Sequence, residues 1–409
     1  MTQTIIEEIK IKFNELISIY NENNDSTETL HIAQSSFNVN QTQLILTHEQ
    51  VITKNQLVRL TISTNKLLTL SLANTLIDEF SYQVLENMHE KNNIFNNMIK
   101  QFKNLKLQEF TIIKPAIIHL TTTKPIQIIK LTLFSNPIQY LQNKYKETPQ
   151  INNMITNHNA GMFINKDPYH PNMPDVAVMI TLNEVDNVSA ENNFIKYSQE
   201  ALGFLKLFQP RSYFYFTTIK PNMPEHSLTI SNYRISNCSG YSTGTTFNRG
   251  LIDDKNYELY LNMGLRWLNE DPDSDKSKKM RDALYWFNYA TDEINLTNKF
   301  IYLITVLECL LKDSDEKFEI MTTIAERTAF VLGGTKDIQI SNFRNIKTIY
   351  GKRSKIIHNG ATLVANDELM VLETYQIIRN IIIKLLKEFA DSNITFKEFI
   401  STFLDKKFA

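Results

Sequence analysis

The sequence has few of the features that would place it quickly in a functional class. Its 409 residues include two cysteines, Cys238 and Cys309, too few for a disulfide framework or a cysteine-rich zinc site. A reducing cytoplasm is therefore the expected compartment. Basic and acidic residues nearly balance, with a formal net charge of −1, so no overall field draws the chain to a nucleic acid or a membrane. Any such contact must come from a local patch.

Long apolar runs are also missing. No stretch approaches the roughly 18 consecutive apolar residues that a membrane-spanning helix needs. The first residues, MTQTIIEEIKIKFNELISIY, carry acidic side chains within their apolar pattern, which a secretory signal peptide does not. We expect neither a leader nor a membrane anchor.

Nucleotide-binding loops and metal-ligand spacings are scarce as well. The one glycine-rich stretch, GYSTGTTFNRG at 240–250, lacks the ending of a phosphate-binding P-loop and the spacing of a dinucleotide fingerprint, so we interpret it as a connecting loop. The stretch KDPYHPNMPD at 166–175 is interpreted as a rigid polar loop. Six histidines have no second ligand three or four residues away: His31, His48, His89, His119, His158 and His226. Ligands that converge only in space stay open, but we expect no metal and no cofactor.

The first 250 residues mix two patterns, and we predict an α+β domain over residues 1–250. Helices are predicted at 3–20, 74–106 and 187–208. Short β-branched runs predict strands between them: QTQLILT, QLVRLTIST, LLTLSL, EFTIIK, AIIHLTT, IQIIKLTLF, DVAVMITL, RSYFYFTTI and SLTISNYRI. The role of this domain is unknown, and sensing or regulation is the hypothesis.

Residues 251–409 read as helical throughout, and a chain of this length accommodates two domains. Five main helices are predicted near 278–292, 297–313, 318–333, 341–358 and 367–390, with a short helical tail. The last of them has a single apolar seam with alternating spacings of four and three residues: Val371, Tyr375, Ile378, Ile382, Leu385 and Phe389. We therefore predict an all-α helical bundle after the α+β part.

The fourth of these helices carries an arginine on its apolar stripe. Ile346, Tyr350, Arg353 and Ile357 follow one another at three or four residues, so a guanidinium stands where an aliphatic side chain is expected. Burying an unpaired guanidinium is costly. Arg353 must therefore meet a carboxylate, a symmetry partner or an anionic ligand.

A histidine follows at the end of the same helix. His358 lies five residues after Arg353, so the two side chains are separated by about 140° and about 7.5 Å along the axis, a gap that a long arginine can reduce. Asn359-Gly360 supplies a left-handed stop. The partial negative charge of a helix C-terminus favours an imidazolium, and an imidazole is well suited to moving protons at neutral pH.

Such a pair suits cleavage of a phosphodiester that carries its own nucleophile. His358 would shuttle protons for attack by a ribose 2′-hydroxyl, while Arg353 would hold the phosphoryl oxygens. Lys347, Lys352 and Lys355 add local positive charge for an RNA backbone. The alternative is a histidine bonded to its own helix carbonyls and an arginine in a structural ion pair, and spacing alone favours this alternative.

Three segments together resemble the Apea-like branch of the HEPN superfamily over about residues 255–390: LYWFNYATDEINLTNKFIYLITVLECLLKD, IAERTAFVLG and IYGKRSKIIHNG. The shared features are a Leu-Glu-x-Leu-Leu, an acidic-Arg pair before an apolar run ending in Leu-Gly, and a Tyr-x-x-Arg-Ser-x-x-x-His-x-Gly. The resemblance implies a compact helical domain that pairs with a second copy. Each copy would present an Arg-x4-His to a shared cleft.

Carried over residue by residue, the resemblance gives each position a role. Arg353 and His358 match the two catalytic positions, and Ser354 occupies the polar position after the arginine. We expect the substrate-binding residues to be Ser354, Lys352, Lys355 and Asn359. Glu308 and Arg327 match recurrent positions interpreted as structural. We expect these two to pair with each other, which would leave Arg353 free.

The function that the resemblance implies is a metal-independent endoribonuclease, a toxin or an antiphage effector. It would act on RNA as a homodimer, leave a 2′,3′-cyclic phosphate and a 5′-hydroxyl, and answer to a phage-derived or cellular trigger. The main alternative is a non-catalytic HEPN module that binds RNA or a protein partner. A regulatory enzyme that acts on small molecules through the α+β part is a second alternative, although no convergent pocket is visible there. A role for that part in sensing or restraint rests on architectural analogy.

Overall fold

The computed structural model describes residues 3–24, 36–39, 42–45, 48–62, 70–116, 118–122, 124–149, 176–210, 227–231, 234–238, 251–312, 319–391, 398–399 and 401–402. This part of the chain is mostly helical, with a small sheet whose recorded pairings are antiparallel. By packing, the chain divides into two compact units: one of Met1–Phe110 with Thr181–Asn192, and one of Thr111–Ile180 with Asn193–Ala409. Packing therefore divides the chain elsewhere than residue 250, where the pattern of the sequence changes.

The first unit is built mainly from helices around an apolar core. Its helices are α1 (Gln3–Asn24), α2 (His48–Ile62), α3 (Leu70–Glu86) and α4 (Lys91–Lys103), with a 3-10 turn at Met88–Glu90, and strands β1 (Ser36–Val39) and β2 (Thr42–Ile45) pair antiparallel. Phe13 of α1 and Phe95 of α4 bring their ring centroids to 5.9 Å within that core. The predicted helix over 3–20 is confirmed, and the predicted helical stretch at 74–106 is present as α3 and α4.

Two strand predictions in this unit are wrong. Of QLVRLTIST, at 56–64, residues 56–62 form the end of α2 rather than a strand. Among the side chains of α2 that the structure describes, Thr53, Leu57, Val58 and Thr61 are buried, at offsets of four, five and eight residues from the first, which fits one face of a helix. Thr61 donates its hydroxyl to the carbonyl of Leu57 at 2.6 Å, which satisfies a buried polar group inside the helix. The end of LLTLSL likewise belongs to α3.

Most residues of the sheet lie in the second unit. The strands are β3 (Gln108–Pro115), β4 (His119–Leu120), β5 (Ile126–Ile128), β6 (Leu131–Ser135), β7 (Val176–Glu184), β8 (Ser227–Ser231), β9 (Arg234–Cys238) and β10 (Leu251–Ile252). Six form one sheet in the order β5-β6-β7-β3-β8-β9, and β10 pairs with β4 in parallel. The strands predicted from EFTIIK and DVAVMITL are confirmed as β3 and β7. Helix α5 (Pro137–Lys144) follows β6.

Two of the predicted strands are hairpins. IQIIKLTLF divides into β5 and β6, which pair antiparallel, because the chain turns at Ile129 with a φ of 57°. Asn269 steadies this turn, since its side-chain oxygen accepts from the Ile129 N–H at 2.6 Å and its amide donates to the Gln127 carbonyl at 3.0 Å. SLTISNYRI similarly supplies β8 and part of β9.

The helices after residue 250 follow the predicted series. They are α7 (Asp254–Tyr260), a π-helical turn (Leu261–Leu265), α8 (Arg266–Glu270), α9 (Asp275–Asp292), α10 (Leu296–Leu311), α11 (Ile320–Leu332), α12 (Lys336–Asn359), a 3-10 turn (Ala365–Asp367) and α13 (Glu368–Asp391). The five predicted main helices are confirmed as α9 to α13. Side-chain caps begin two of them: Ser274 accepts from the Ser277 N–H, and Asn295 from the Asn298 N–H.

Helix α6 (Asn187–Phe208), confirmed at its predicted bounds, contacts α9 within the second unit from Lys196 to Lys206. Gly203 lies against the backbone of α9, where an added Cβ would come 2.0 Å from the Leu284 carbonyl oxygen. Glu200 of α6 pairs with Arg281 of α9 at 3.2 Å. Only a glycine at position 203 permits the two helices to come this close. The Glu200–Arg281 pair is buried between them.

Several predictions fall outside the described residues: the strand RSYFYFTTI, the loops at 166–175 and 240–250, and His31, His158 and His226.

Candidate active site

Helix α12 carries the two residues that the sequence singled out, and it ends as predicted. Gly360 adopts a φ of 66°, and its N–H donates to the Ile356 carbonyl at 3.1 Å. The left-handed conformation suits a glycine and stops the helix directly after Asn359. His358 therefore lies in the last turn, at a helix end fixed by local chemistry.

The buried face of α12 differs in one residue from the predicted stripe. Ile346, Ile349, Tyr350 and Ile356 are buried, whereas Ile357 is half exposed. The buried face of α12 therefore ends at Ile356 rather than at Ile357. Arg353 lies between Tyr350 and Ile356 on this face, partly covered and partly open to solvent.

Arg353 finds its carboxylate partner on α10. One guanidinium nitrogen (Nη2) lies 3.3 Å from Glu308 Oε1, and the Tyr350 hydroxyl donates to the same oxygen. Glu308 thus contacts Arg353, and the expected Glu308–Arg327 pair is wrong. Arg327 instead donates to the Leu311 carbonyl at 2.6 Å, because it is buried beside the end of α10, where that carbonyl needs a donor.

Tyr350 supports the guanidinium in two ways. Arg353 lies over its ring, with the guanidinium carbon 5.6 Å from the ring centroid, a favourable cation–π placement. Burial, and next its hydrogen bond to Glu308, raise the pKa of Tyr350. The phenol therefore stays neutral and donates to Glu308, so that the carboxylate is held from one side by Tyr350 and from the other by Arg353.

The guanidinium is nevertheless accessible. The side chain of Arg353 is 29% exposed and that of Glu308 is 25% exposed. One nitrogen of a planar group with five N–H donors faces the carboxylate. Arg353 is therefore held by Glu308 on one side, and its solvent-exposed N–H groups can still donate to an anion.

The other predicted site residues surround the helix end in different ways. Ser354, Lys355, His358 and Asn359 are exposed. Lys352 instead pairs with Asp367 at 2.8 Å, which lowers the pKa of that carboxyl, first through this hydrogen bond. Lys352 therefore links α12 to the 3-10 turn before α13. A contact between Lys352 and a substrate would compete with its ion pair to Asp367.

The chain after α12 is anchored beside the start of α10. The Leu363 N–H donates to the Thr297 hydroxyl at 2.9 Å, and the Val364 N–H donates to Asp367 at 3.0 Å. Four exposed aliphatic side chains lie on these consecutive segments, and we call them the aliphatic patch: Ile357, Val364, Leu369 and Leu372. The first of them, Ile357, directly precedes His358 in the last turn of α12.

Among the residues that the structure describes, no three His, Cys, Asp or Glu side chains converge as a metal-ligand set. Cys309 of α10 is half-buried, and desolvation raises the pKa of its thiol to about 12, so it does not act as a thiolate at neutral pH. In the described part of the chain, no helix combines the length and the apolar character needed to cross a bilayer.

Comparison with known proteins gives no relative. The chain matches no protein-family model, no curated protein sequence and no solved structure. The chemistry of the site is therefore argued from its own residues.

The arrangement offers a positioned cation and an exposed imidazole near one helix end. Arg353 can neutralise an anion, and His358 can exchange protons with solvent or a ligand. Sequence analysis missed that Glu308 and Tyr350 together hold Arg353. The available signal was the i, i+3 spacing of Tyr350 and Arg353, which places a ring directly under the guanidinium.

Proposed function

We propose that this chain is a metal-independent endoribonuclease, an α+β part followed by a HEPN-like helical bundle, which acts as a homodimer. One observation carries the proposal: Arg353 is anchored to Glu308 at 3.3 Å yet remains 29% exposed, one and a half turns before the exposed His358. A cation held in this way meets a phosphodiester without paying the ordering cost of a free side chain.

The reaction that fits these groups is an internal transesterification. A neutral imidazole accepts the proton of the ribose 2′-hydroxyl, the oxygen attacks phosphorus, and the bond to the 5′-oxygen breaks as that oxygen receives a proton from an imidazolium. Arg353 stabilises the charge that develops on the phosphoryl oxygens. The products are a 2′,3′-cyclic phosphate and a 5′-hydroxyl, and the ribose supplies the nucleophile.

A second copy completes the site in this proposal. Attack and departure take place on opposite sides of phosphorus, so an acid and a base on opposite sides serve the reaction better than one imidazole. The aliphatic patch adjoins His358 and suits a self-complementary contact about a two-fold axis. Pairing there brings a second Arg353 and a second His358 toward one phosphate.

The proposal extends to the cell. A cytoplasmic toxin or antiphage effector would be kept silent until a phage-derived or cellular trigger arrives, with restraint assigned to the α+β part. If the chain binds RNA without cutting it, the non-catalytic scaffold replaces the nuclease.

The test compares wild type with His358→Ala and Arg353→Ala on total RNA in EDTA. We expect each substitution to lower the rate of fragment formation by about 100-fold or more, the usual range for a general acid–base or an electrostatic group. Fragment ends are checked for the cyclic phosphate and the 5′-hydroxyl.

Arg344→Ala is the matched control, because Arg344 is an exposed arginine on the same helix, and it should cleave as wild type does. Wild type that leaves RNA intact, with and without lysate of infected cells, would reject the nuclease. Equal rates in wild type and His358→Ala would reject the site.

A further inference from the structure

Helices α9 and α10 present four aromatic side chains together on the surface of the bundle. We call them the aromatic cluster: Tyr285, Trp286, Tyr289 and Tyr302. Trp286 and Tyr302 stack, with centroids 5.6 Å apart and ring planes at 28°, and Tyr289 lies 5.0 Å from Tyr285 and 6.0 Å from Tyr302. Tyr289 is 37% exposed, and the other three rings are half-buried. The cluster is therefore partly open to solvent.

The aromatic cluster connects with the candidate active site along α10. Tyr302 precedes Glu308 by six residues, which is about 9 Å along a helix axis. The half-buried residues Ile301, Tyr302, Thr305 and Glu308 form one strip of α10. This strip leads from the rings to the carboxylate that holds Arg353.

Two carboxylates near the strip are each in contact with a cation. Glu308 is paired with Arg353, and Asp282 of α9 lies 3.6 Å from Lys196, so neither carboxylate faces a ligand with its full charge. Lys299 lies three residues before Tyr302, one turn farther along α10 from Glu308. An anionic chain that follows the strip from the rings reaches Arg353 at the other end.

We propose that the aromatic cluster is a stacking site for an unpaired nucleobase of a single-stranded RNA, next to the phosphate that Arg353 holds. This inference rests on the proposed function and names the form of its substrate. Aromatic platforms combined with basic groups bind single strands, because every base has a face that can stack. The chemistry differs from that of the aliphatic patch, which has no rings and suits a second copy of the chain.

Tryptophan fluorescence tests the proposal directly. The chain has two tryptophans. Trp267 is 9% exposed and donates its indole N–H to the Leu386 carbonyl at 3.0 Å, so Trp286 is the accessible reporter. The full-length His358→Ala protein, chosen to avoid cleavage, is titrated with a single-stranded oligoribonucleotide and with an abasic strand of the same length. We expect the first to quench the emission and the second to leave it unchanged.

Three further variants in the His358→Ala background separate stacking from folding. Trp286→Phe should abolish the quenching, because only the emission of Trp267 remains. Tyr302→Ala should weaken binding of the intact strand by about 5- to 100-fold, the range for the loss of one stacking ring. Tyr302→Phe keeps the ring and should bind as its parent does.

The outcomes separate this proposal from the proposed function. Quenching in a protein whose wild type cuts no RNA would retain the stacking site and reject the nuclease. Equal binding of abasic and intact strands, in a protein whose wild type cleaves RNA, would overturn the stacking site alone. Conversion of a dimer into a monomer by Trp286→Ala would mark the cluster as a surface between copies and would also overturn it.

Discussion

Two of the arginine–glutamate pairs in the second unit have nearly equal distances but different surroundings. Arg281 and Glu200 lie 3.2 Å apart with side chains 5% and 0% exposed, whereas Arg353 and Glu308 lie 3.3 Å apart with side chains 29% and 25% exposed. The first pair joins α6 to α9 inside the packing, and the second joins α12 to α10 at the surface. Distance does not distinguish the two pairs, but access to solvent does.

The buried pair is incompletely satisfied. Among the described residues, Glu200 Oε1 and Arg281 Nε are buried without a hydrogen-bond partner, although Lys196 lies 4.0 Å from Glu200 and Arg281 lies over the ring of Tyr197 at 5.4 Å. Burial outweighs the attraction of Arg281 and raises the pKa of Glu200 to about 7. Such a pair specifies how α6 sits on α9 more than it adds net stability.

Breaking the buried pair is the largest expected effect. Arg281→Ala should lower the free energy of unfolding by about 3–5 kcal/mol, because it leaves the buried Glu200 carboxyl without the guanidinium that it pairs with. Urea titration followed by circular dichroism measures the change. The double variant Arg281→Met with Glu200→Leu should recover much of the loss, since apolar groups need no partner there. A loss below about 1 kcal/mol in Arg281→Ala would show that the pair is not a buried ionic contact.

The raised pKa of Glu200 predicts a pH dependence. The pKa of about 7 in the folded state exceeds the ordinary value of 4.5, so the folded chain binds more protons than the unfolded chain between these values. The stabilising contribution is therefore complete below about pH 4.5 and is lost as the pH rises through about 7. Across this window the loss is on the order of 3 kcal/mol.

Glu200→Gln should flatten this part of the stability profile, since an amide does not titrate. Urea titrations at half-unit steps of pH, in wild type and variant, give the comparison. Glu293→Gln, a change of a partly exposed carboxylate on the same unit, should keep the wild-type profile. Parallel profiles for Glu200→Gln and wild type would show that Glu200 titrates normally in the folded chain.

The sequence predicted the helices of the bundle better than the elements before them. In α10 and α13 the apolar residues recur at three and four residues over several turns, so that one period explains each segment. In α2 the prediction took 56–64 alone, where β-branched residues are frequent, and missed that Thr53 continues the buried face of Leu57 and Thr61. A short segment with strand-like composition becomes helical when it lies within a longer stretch of helical periodicity, because the whole element packs as one unit.

The partners of the charged residues could not be predicted from the sequence. Glu308 and Arg327 both stand near apolar runs, and spacing along the chain gives no indication of which cation reaches Glu308. The choice depends on how α10, α11 and α12 cross: α12 brings Tyr350 and Arg353 to Glu308, while Arg327 reaches the end of α10 at Leu311. Residues on one helix are related by a fixed rotation, but residues on different helices are related only through the fold.

The exposed pair should cost little when it is broken, and this is the smallest expected effect. Arg353→Ala should lower the free energy of unfolding by no more than about 1 kcal/mol, because water replaces the guanidinium at Glu308 and the Tyr350 hydroxyl still donates to the carboxylate. The same urea titration measures it beside Arg281→Ala. A loss of about 3 kcal/mol or more would mean that Arg353 is a structural residue of the same kind as Arg281. Any loss of RNA cleavage in Arg353→Ala could then be attributed to unfolding, whereas a small loss of stability with a large loss of cleavage assigns Arg353 to the chemistry.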